Sequence, residues 1–218
     1  MKTSTRWTIG SLIAVALLIA TMAVYAVVKP SAQPGVGDSR GGVPAVADDS
    51  HRLTEPDGST VTLVEFLDFE CEVCGAVYPV IEQLRAEYGD RVTFVVRYFP
   101  IPSHRNSMNA AVAVEAAAQQ GRFEAMYSRM FETQAEWGEQ QESKAPLFRT
   151  FAEDLGLDLA MYDAAVADPA TQERVASDFD AGRALGVEGT PTVFVNDEQI
   201  ELRSEADLRN ALDAALAK

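Results

Sequence analysis

The stretch Leu63-Val-Glu-Phe-Leu-Asp-Phe-Glu-Cys-Glu-Val-Cys-Gly-Ala-Val-Tyr-Pro79 runs a strand-like apolar segment directly into two cysteines that open a helix. No other cysteine occurs in the 218 residues. Three apart in a first helical turn, Cys71 and Cys74 have Cα atoms about 5 to 6 Å apart, a separation that suits a closed disulfide and an open dithiol alike. The unpaired N–H groups and the positive end of the helix face the Cys71 sulfur and favour its thiolate, which makes Cys71 the candidate nucleophile. Cys74 falls in the inward row of Val77, Ile81, Leu84 and Tyr88. It reads as the resolving thiol, attacking a mixed disulfide formed at Cys71.

Other uses of the pair fit less well. A bridge closing three residues removes little chain entropy and is a poor staple for a chain of this size. A zinc site needs two more ligands, and His51 and His104, the only histidines, stand alone and far apart. His51 reads as a solvated linker residue and His104 as a loop or cap residue. No metal or cofactor is called for.

Working outward, Val61–Leu67 is a nearly continuous run of strand-forming residues, as in a central strand covered on both faces. Glu65 interrupts it. A carboxyl buried there has a raised pKa and can accept the Cys74 proton during exchange; the alternative is that Glu65 reaches solvent or pairs with an arginine such as Arg97. The helix from Cys71 contains Pro79 and stops at Gly89-Asp90, and Val92–Tyr98 is a second strand, giving a right-handed parallel crossover. After Pro100-Ile-Pro102 the pattern is helical and alanine-rich from about 103 to 185, with helices over 106–119, 122–134, 146–155, 159–167 and 171–185. Strand character returns over Val187–Asn196 and 199–202, and Ser204 with Asp207 caps a last helix whose buried row is Leu208, Leu212 and Leu216. A proline at a strand start cannot donate to the sheet. Thr190-Pro191 is either an ordinary trans edge or a cis bend that presents the Thr190 backbone to an extended client segment.

The front of the chain differs. Trp7 to Val28 is 22 residues without a charge, enough to cross a hydrocarbon layer of about 30 Å as a helix. Lys2 and Arg6 precede it, so residues 1–6 are expected in the cytoplasm and the remainder outside. A cleaved signal peptide ending near Val24-Tyr-Ala26 is the competing reading; the apolar run is longer than a signal core of about 7 to 15 residues, which favours a retained anchor. Residues 29–50, rich in Gly, Pro, Ser and Ala, read as a flexible tether, and 51–218 as the folded domain. Beyond Arg6, 16 basic residues stand against 33 acidic ones, a net charge of −17. Such a surface excludes nucleic acid as a partner and leaves the anchor as the link to the membrane.

Three pieces carry a family resemblance: Val64-Glu-Phe-Leu-Asp-Phe-Glu-Cys-Glu-Val-Cys74, the helical stretch opened by Ser103-His-Arg-Asn-Ser, and Gly189-Thr-Pro-Thr-Val-Phe-Val195. Over about residues 60–215 the chain resembles the thioredoxin fold and, more closely, the DsbA-like thiol:disulfide oxidoreductases of bacterial envelopes. The resemblance implies an α/β thioredoxin fold with a helical insertion, here preceded by a transmembrane helix. It further implies a cis Pro191, Cys71 as exposed nucleophile, Cys74 as resolver and Glu65 as the buried acid beneath them. The expected activity is disulfide donation to unfolded or reduced cysteine-containing exported proteins, with reoxidation by a membrane partner. Disulfide isomerase or reductant chemistry is the alternative of the same kind, and a non-catalytic peptide-binding module or chaperone the alternative of another.

One departure matters. Strongly oxidising relatives often carry Pro-His between the cysteines, where this chain has Glu72-Val73 behind Glu70. Acids beside a thiolate raise its pKa and weaken the reduced form. Compared with wild type, Glu72→His is therefore expected to lower the Cys71 pKa and make the pair more oxidising; alkylation against pH and glutathione equilibration read the two quantities, and an unchanged or more reducing variant refutes the argument.

Overall fold

The computed structural model describes residues 43–218. Five strands form one sheet in the order β1-β3-β2-β4-β5: His51–Thr54 (β1), Val61–Leu67 (β2), Val92–Tyr98 (β3), Thr192–Val195 (β4) and Glu198–Ile200 (β5). The central pair β2·β3 is parallel, joined by the crossover helix α1 (Glu72–Tyr88); β1, β4 and β5 each pair antiparallel with their neighbours. Between β3 and β4 the chain inserts α2 (Ser107–Ala118), α3 (Phe123–Glu132), α4 (Gln134–Trp137), α5 (Ala145–Asp154), α6 (Leu159–Ala167) and α7 (Pro169–Ala184). A last helix, α8 (Glu205–Leu216), opens with the expected capping box between Ser204 and Asp207.

The strands β2 and β3 keep their expected bounds because both are rich in β-branched and aromatic residues and almost wholly buried, with Glu65 and Arg97 the charged exceptions. Other bounds move for local reasons. The helix expected over 122–134 breaks at Thr133, whose hydroxyl bonds back to the Arg129 carbonyl at 2.7 Å. The strand expected over 187–196 is paired only from Thr192, since the ladder with β2 ends at Phe66↔Thr192. No helix of the described residues is long and apolar enough to cross a membrane, and the anchor expected over 7–28 lies outside the described residues.

Of the expected tether, residues 43–50 are described, and they are packed rather than free. Ala45 and Ser50 are buried, and Arg97 donates to the Ala45 carbonyl at 3.0 Å. Arg97 is fully buried because Asp178 of α7 meets it at 2.7 Å, while the other Asp178 oxygen accepts the Tyr98 N–H at 3.1 Å. His51, expected in solvent, is also drawn in: Nε2 lies 2.7 Å from Glu115 of α2 and the ring stacks on Phe123 at 4.0 Å. An edge strand beside an apolar helix face gives an imidazole a partner that its sequence neighbours do not reveal.

Side-chain alternation on β2 divides the core. Leu63 and Leu67 pack in the cluster that holds α1 and both cysteines, while Val64 and Phe66 pack with Val95, Phe99 and Phe194 on the other side. Period two places Glu65 with Leu63 and Leu67, on the cysteine side. Arg97 pairs in register with Phe66, and its guanidinium lies over that ring at 5.3 Å. The proposed Glu65–Arg97 pair is excluded by the pleat.

On the second face α7 comes close at Gly182, where an added Cβ would sit 2.8 Å from Phe99 and 3.0 Å from Phe66. In an open helix Gly→Ala gains about 0.5–1 kcal/mol, whereas overfilling a core costs about 1–3. Gly182→Ala is expected to destabilise by about 1 kcal/mol or more, seen as a lower midpoint in chemical denaturation; a stabilised variant contradicts this close approach.

Candidate active site

Cys71 is the N-cap of α1, with extended backbone (φ −68°, ψ 119°) and no side-chain cap of its own. The Gly75 N–H bonds its carbonyl at 3.0 Å, so the helix begins at the sulfur. Both cysteines are free thiols. The Cys71 thiol is lowered from 9.0 to about 6, first by a hydrogen bond from Cys74, then by Thr190 and the N–H groups of Cys74 and Val73, against an opposing effect of burial. Thr190 leans directly on the sulfur. Its carbonyl oxygen accepts from Sγ at 3.5 Å, and its buried hydroxyl has no hydrogen-bond partner among the described residues. This cover corrects the expected exposure: Cys71 keeps 5% of its surface and Cys74 none.

Cys74 moves the opposite way. Burial pushes its thiol well above 9.0, and its hydrogen bond to Cys71 and the charges of Glu65 and Cys71 add to this. Glu65 is 2% exposed, and its carboxyl is raised to about 8 by burial, then by Glu82 and Cys71. A thiol that ionises early, one that ionises late and a carboxyl that holds its proton near neutrality thus meet at one helix end. That is the division of labour in which one sulfur attacks and the other waits with its proton.

Sequence reading missed the residues that hold this turn. Asp68 is fully buried: Oδ1 accepts the Glu70 N–H at 2.8 Å, and Oδ2 accepts the Ile101 N–H at 3.0 Å and stands 2.7 Å from His104 Nδ1. Gln134 of α4 donates to the carbonyls of both Phe69 and Cys71 at 2.8 Å, and its amide fills the space a side chain at Gly75 would need. Glu70 accepts the backbone N–H of Asn106, the residue that leads into α2. Neither Glu70 nor the exposed Glu72 figures among the main influences on Cys71, which ionises early despite the acidic dipeptide. A signal was present in Asp68 and in Ser103-His-Arg-Asn106 after the Pro-Ile-Pro breaker, but only the tertiary approach of that loop gives it meaning.

Thr190-Pro191 is cis, as the resemblance implied. Beside it a groove of about 390 Å³ runs between α1 and the start of α8, lined by Val73, Val77, Val80, Thr190, Pro191 and Leu202 among others. Val73, inside the CxxC motif, is half exposed at its mouth.

A family model described as thioredoxin matches residues 52–214. Among curated proteins, the Na(+)/H(+) antiporter NhaA 3 of Salinispora tropica is 39% identical over 155 residues, which are 71% of this chain and 22% of the antiporter. The chain therefore spans about a fifth of that relative's length. A thioredoxin-like oxidoreductase from Silicibacter pomeroyi DSS-3 superposes with a TM-score of 0.66 at 26% identity, covering 79% of this chain and 95% of that one. Alpha-DsbA1 of Wolbachia pipientis superposes at 0.68 with 16% identity, covering 79% and 93%, a likeness of fold alone. The family match runs from β1 into α8 and takes in both cysteines and Thr190-Pro191: this chain belongs to the thioredoxin family, with a DsbA-like form of its fold.

Proposed function

We propose that the chain is an extracytoplasmic thiol:disulfide oxidoreductase, tethered by residues 7–28, that donates the Cys71–Cys74 disulfide to reduced exported proteins. A client thiolate attacks Sγ of Cys71, forming a mixed disulfide and breaking the Cys71–Cys74 bond; Cys74 leaves as a thiolate and takes up a proton. A second client thiolate attacks the client sulfur of that bond and releases the Cys71 thiolate. The client dithiol is oxidised by two electrons and the pair reduced, and a membrane-bound disulfide donor restores it.

The observation that carries this reading is the contrast between the two sulfurs. A Cys71 thiol near 6 is largely ionised at neutral pH, which stabilises the reduced state and favours handing the disulfide on. Transfer then runs in the donor's direction, against the isomerase or reductant suggested by Glu72-Val73. The apolar groove beside Thr190-Pro191 offers an unfolded segment a place to lie, and Gly189–Pro191, outside the β4 ladder, a backbone to pair with. Glu65, which holds a proton near neutrality, can hand it to Cys74 as that sulfur leaves and take it back as the thiol attacks in the reverse step.

Two experiments test this. The wild-type protein, supplied with glutathione disulfide, is expected to speed oxidative refolding of a reduced secreted enzyme more than it speeds insulin reduction, and Cys71→Ser to abolish both; full activity of Cys71→Ser in cells means the cysteines are incidental and the groove alone functions. Glu65→Gln addresses the proton. The unfolded carboxyl titrates near 4.5 and the folded one near 8, so the folded domain retains a proton that the unfolded chain has lost, and stability falls as pH rises between those values. Glu65→Gln is expected to remove that slope, gaining up to about 1.4 kcal/mol per pH unit in the window, while slowing release of mixed disulfides from Cys71. A stabilised variant with unchanged exchange rates assigns Glu65 no part in the chemistry.

A further inference from the structure

His104 belongs to no helix, strand or groove named above, yet both its backbone and its ring are held. Its N–H bonds the Ile101 carbonyl at 3.0 Å, which fixes the loop, and its Nδ1 stands 2.7 Å from Asp68 Oδ2, which fixes the ring. Asp68 in turn accepts the Cys71 N–H on its backbone carbonyl at 3.2 Å. One residue therefore ties the turn entering the nucleophile to the loop carrying the imidazole. The ring is partly open to solvent, and Nε2 has no hydrogen-bond partner among the described residues.

We propose that His104, oriented by Asp68, is the cationic partner of the Cys71 thiolate, supplying from the loop ahead of α2 the positive charge that the Glu72-Val73 dipeptide lacks. The inference rests on the exchange chemistry proposed above. With Nδ1 engaged by Asp68, a second proton on Nε2 makes the ring an imidazolium. Partial burial opposes that charge, but Asp68, Cys71 and Glu70, the acidic groups that face the ring, together raise His104 above its ordinary value. The coupling between His104 and Cys71 is mutual: if the thiolate favours the imidazolium, the imidazolium favours the thiolate. Its neighbour Arg105 is turned away, its Nε donating to the Gln141 carbonyl at 3.3 Å. Of the ionisable groups Glu65, Glu70, Cys74, Asp68 and His104 gathered around this turn, only His104 can be a cation, and the charge of Cys71 is among those that raise it. Asp68 sharpens the requirement, because without the imidazole its carboxylate stands uncompensated beside the turn.

His104→Gln keeps a donor for Asp68 and removes the charge, whereas His104→Lys keeps a charge. His104→Gln is expected to raise the Cys71 pKa by about one unit. Alkylation of reduced protein then slows about fivefold at pH 6 and is unchanged at pH 9, where the thiolate is fully formed in both. Equilibration with glutathione shifts by roughly three- to tenfold toward the disulfide. His104→Lys is expected to recover most of each change. An unaltered Cys71 titration in a folded His104→Gln protein, or equal shifts in the Gln and Lys variants, overturns the proposal. Should a variant fail to fold, the wild type suffices: NMR titration of its two histidines is expected to show a higher midpoint for His104 in the reduced than in the oxidised protein, and equal midpoints overturn the proposal. These titrations do not require turnover, so a protein inactive in refolding assays but with the expected midpoints refutes the donor reading and leaves the His104–Cys71 pair standing.

Discussion

The site depends on one constraint: the turn from β2 into α1 is tied by hydrogen bonds to the helical insertion and to the loop that leads into it. The Leu67 carbonyl accepts the Phe99 N–H, the Asp68 carboxylate takes Ile101 and His104, and Gln134 takes the Phe69 and Cys71 carbonyls. The Glu70 carboxylate takes the N–H of Asn106, the residue before α2, and the Asn106 side chain binds the Gln140 and Glu142 carbonyls and the Lys144 N–H. A buried turn with unmade hydrogen bonds is costly, so the insertion and the turn fix each other's position. The sulfur at the head of α1 inherits that rigidity, and hydrogen bonds aimed at a thiolate keep their full effect only when the donors cannot turn away.

From the same rigidity comes the divergence of the titratable groups. Cys71, Cys74 and Glu65 act on one another, yet burial dominates for Cys74 and Glu65 while hydrogen bonds dominate for Cys71. Alternation on β2 decides which carboxyl takes part. Glu65 and the cysteines lie on one side of the sheet, and the buried arginine lies on the other with Asp178.

What could be read from the chain follows the range of the interaction. The two central strands, α1, the helical block and the capping box at Ser204 are set by apolar periodicity and local caps, which neighbours in sequence display. The cysteines and Glu65 could be placed because strand-then-helix geometry carries them a known distance. His51, His104, Asp68 and Gln134 could not. Each owes its role to a partner 36 to 65 residues away, and no short pattern encodes such a meeting. The packing of residues 43–50 was hidden for the same reason, since Arg97, Asp178 and Ala45 come from three separate elements.

The acidic dipeptide shows why this distinction matters for chemistry. Counted along the chain, Glu70 and Glu72 are the nearest charges to Cys71 and point to a weak acid. In the fold, Glu70 is turned into the end of α2 and Glu72 into solvent, where its field is screened. The groups that lower the Cys71 thiol reach it through space: a neighbouring thiol, the side chain of Thr190, and the N–H groups that open α1. Charge proximity in sequence is a poor guide at a helix N-terminus, because the first turn points its side chains outward while its N–H groups point at the cap. A carboxylate in the second position of such a motif therefore weighs less on the sulfur than residues brought to it across the sheet.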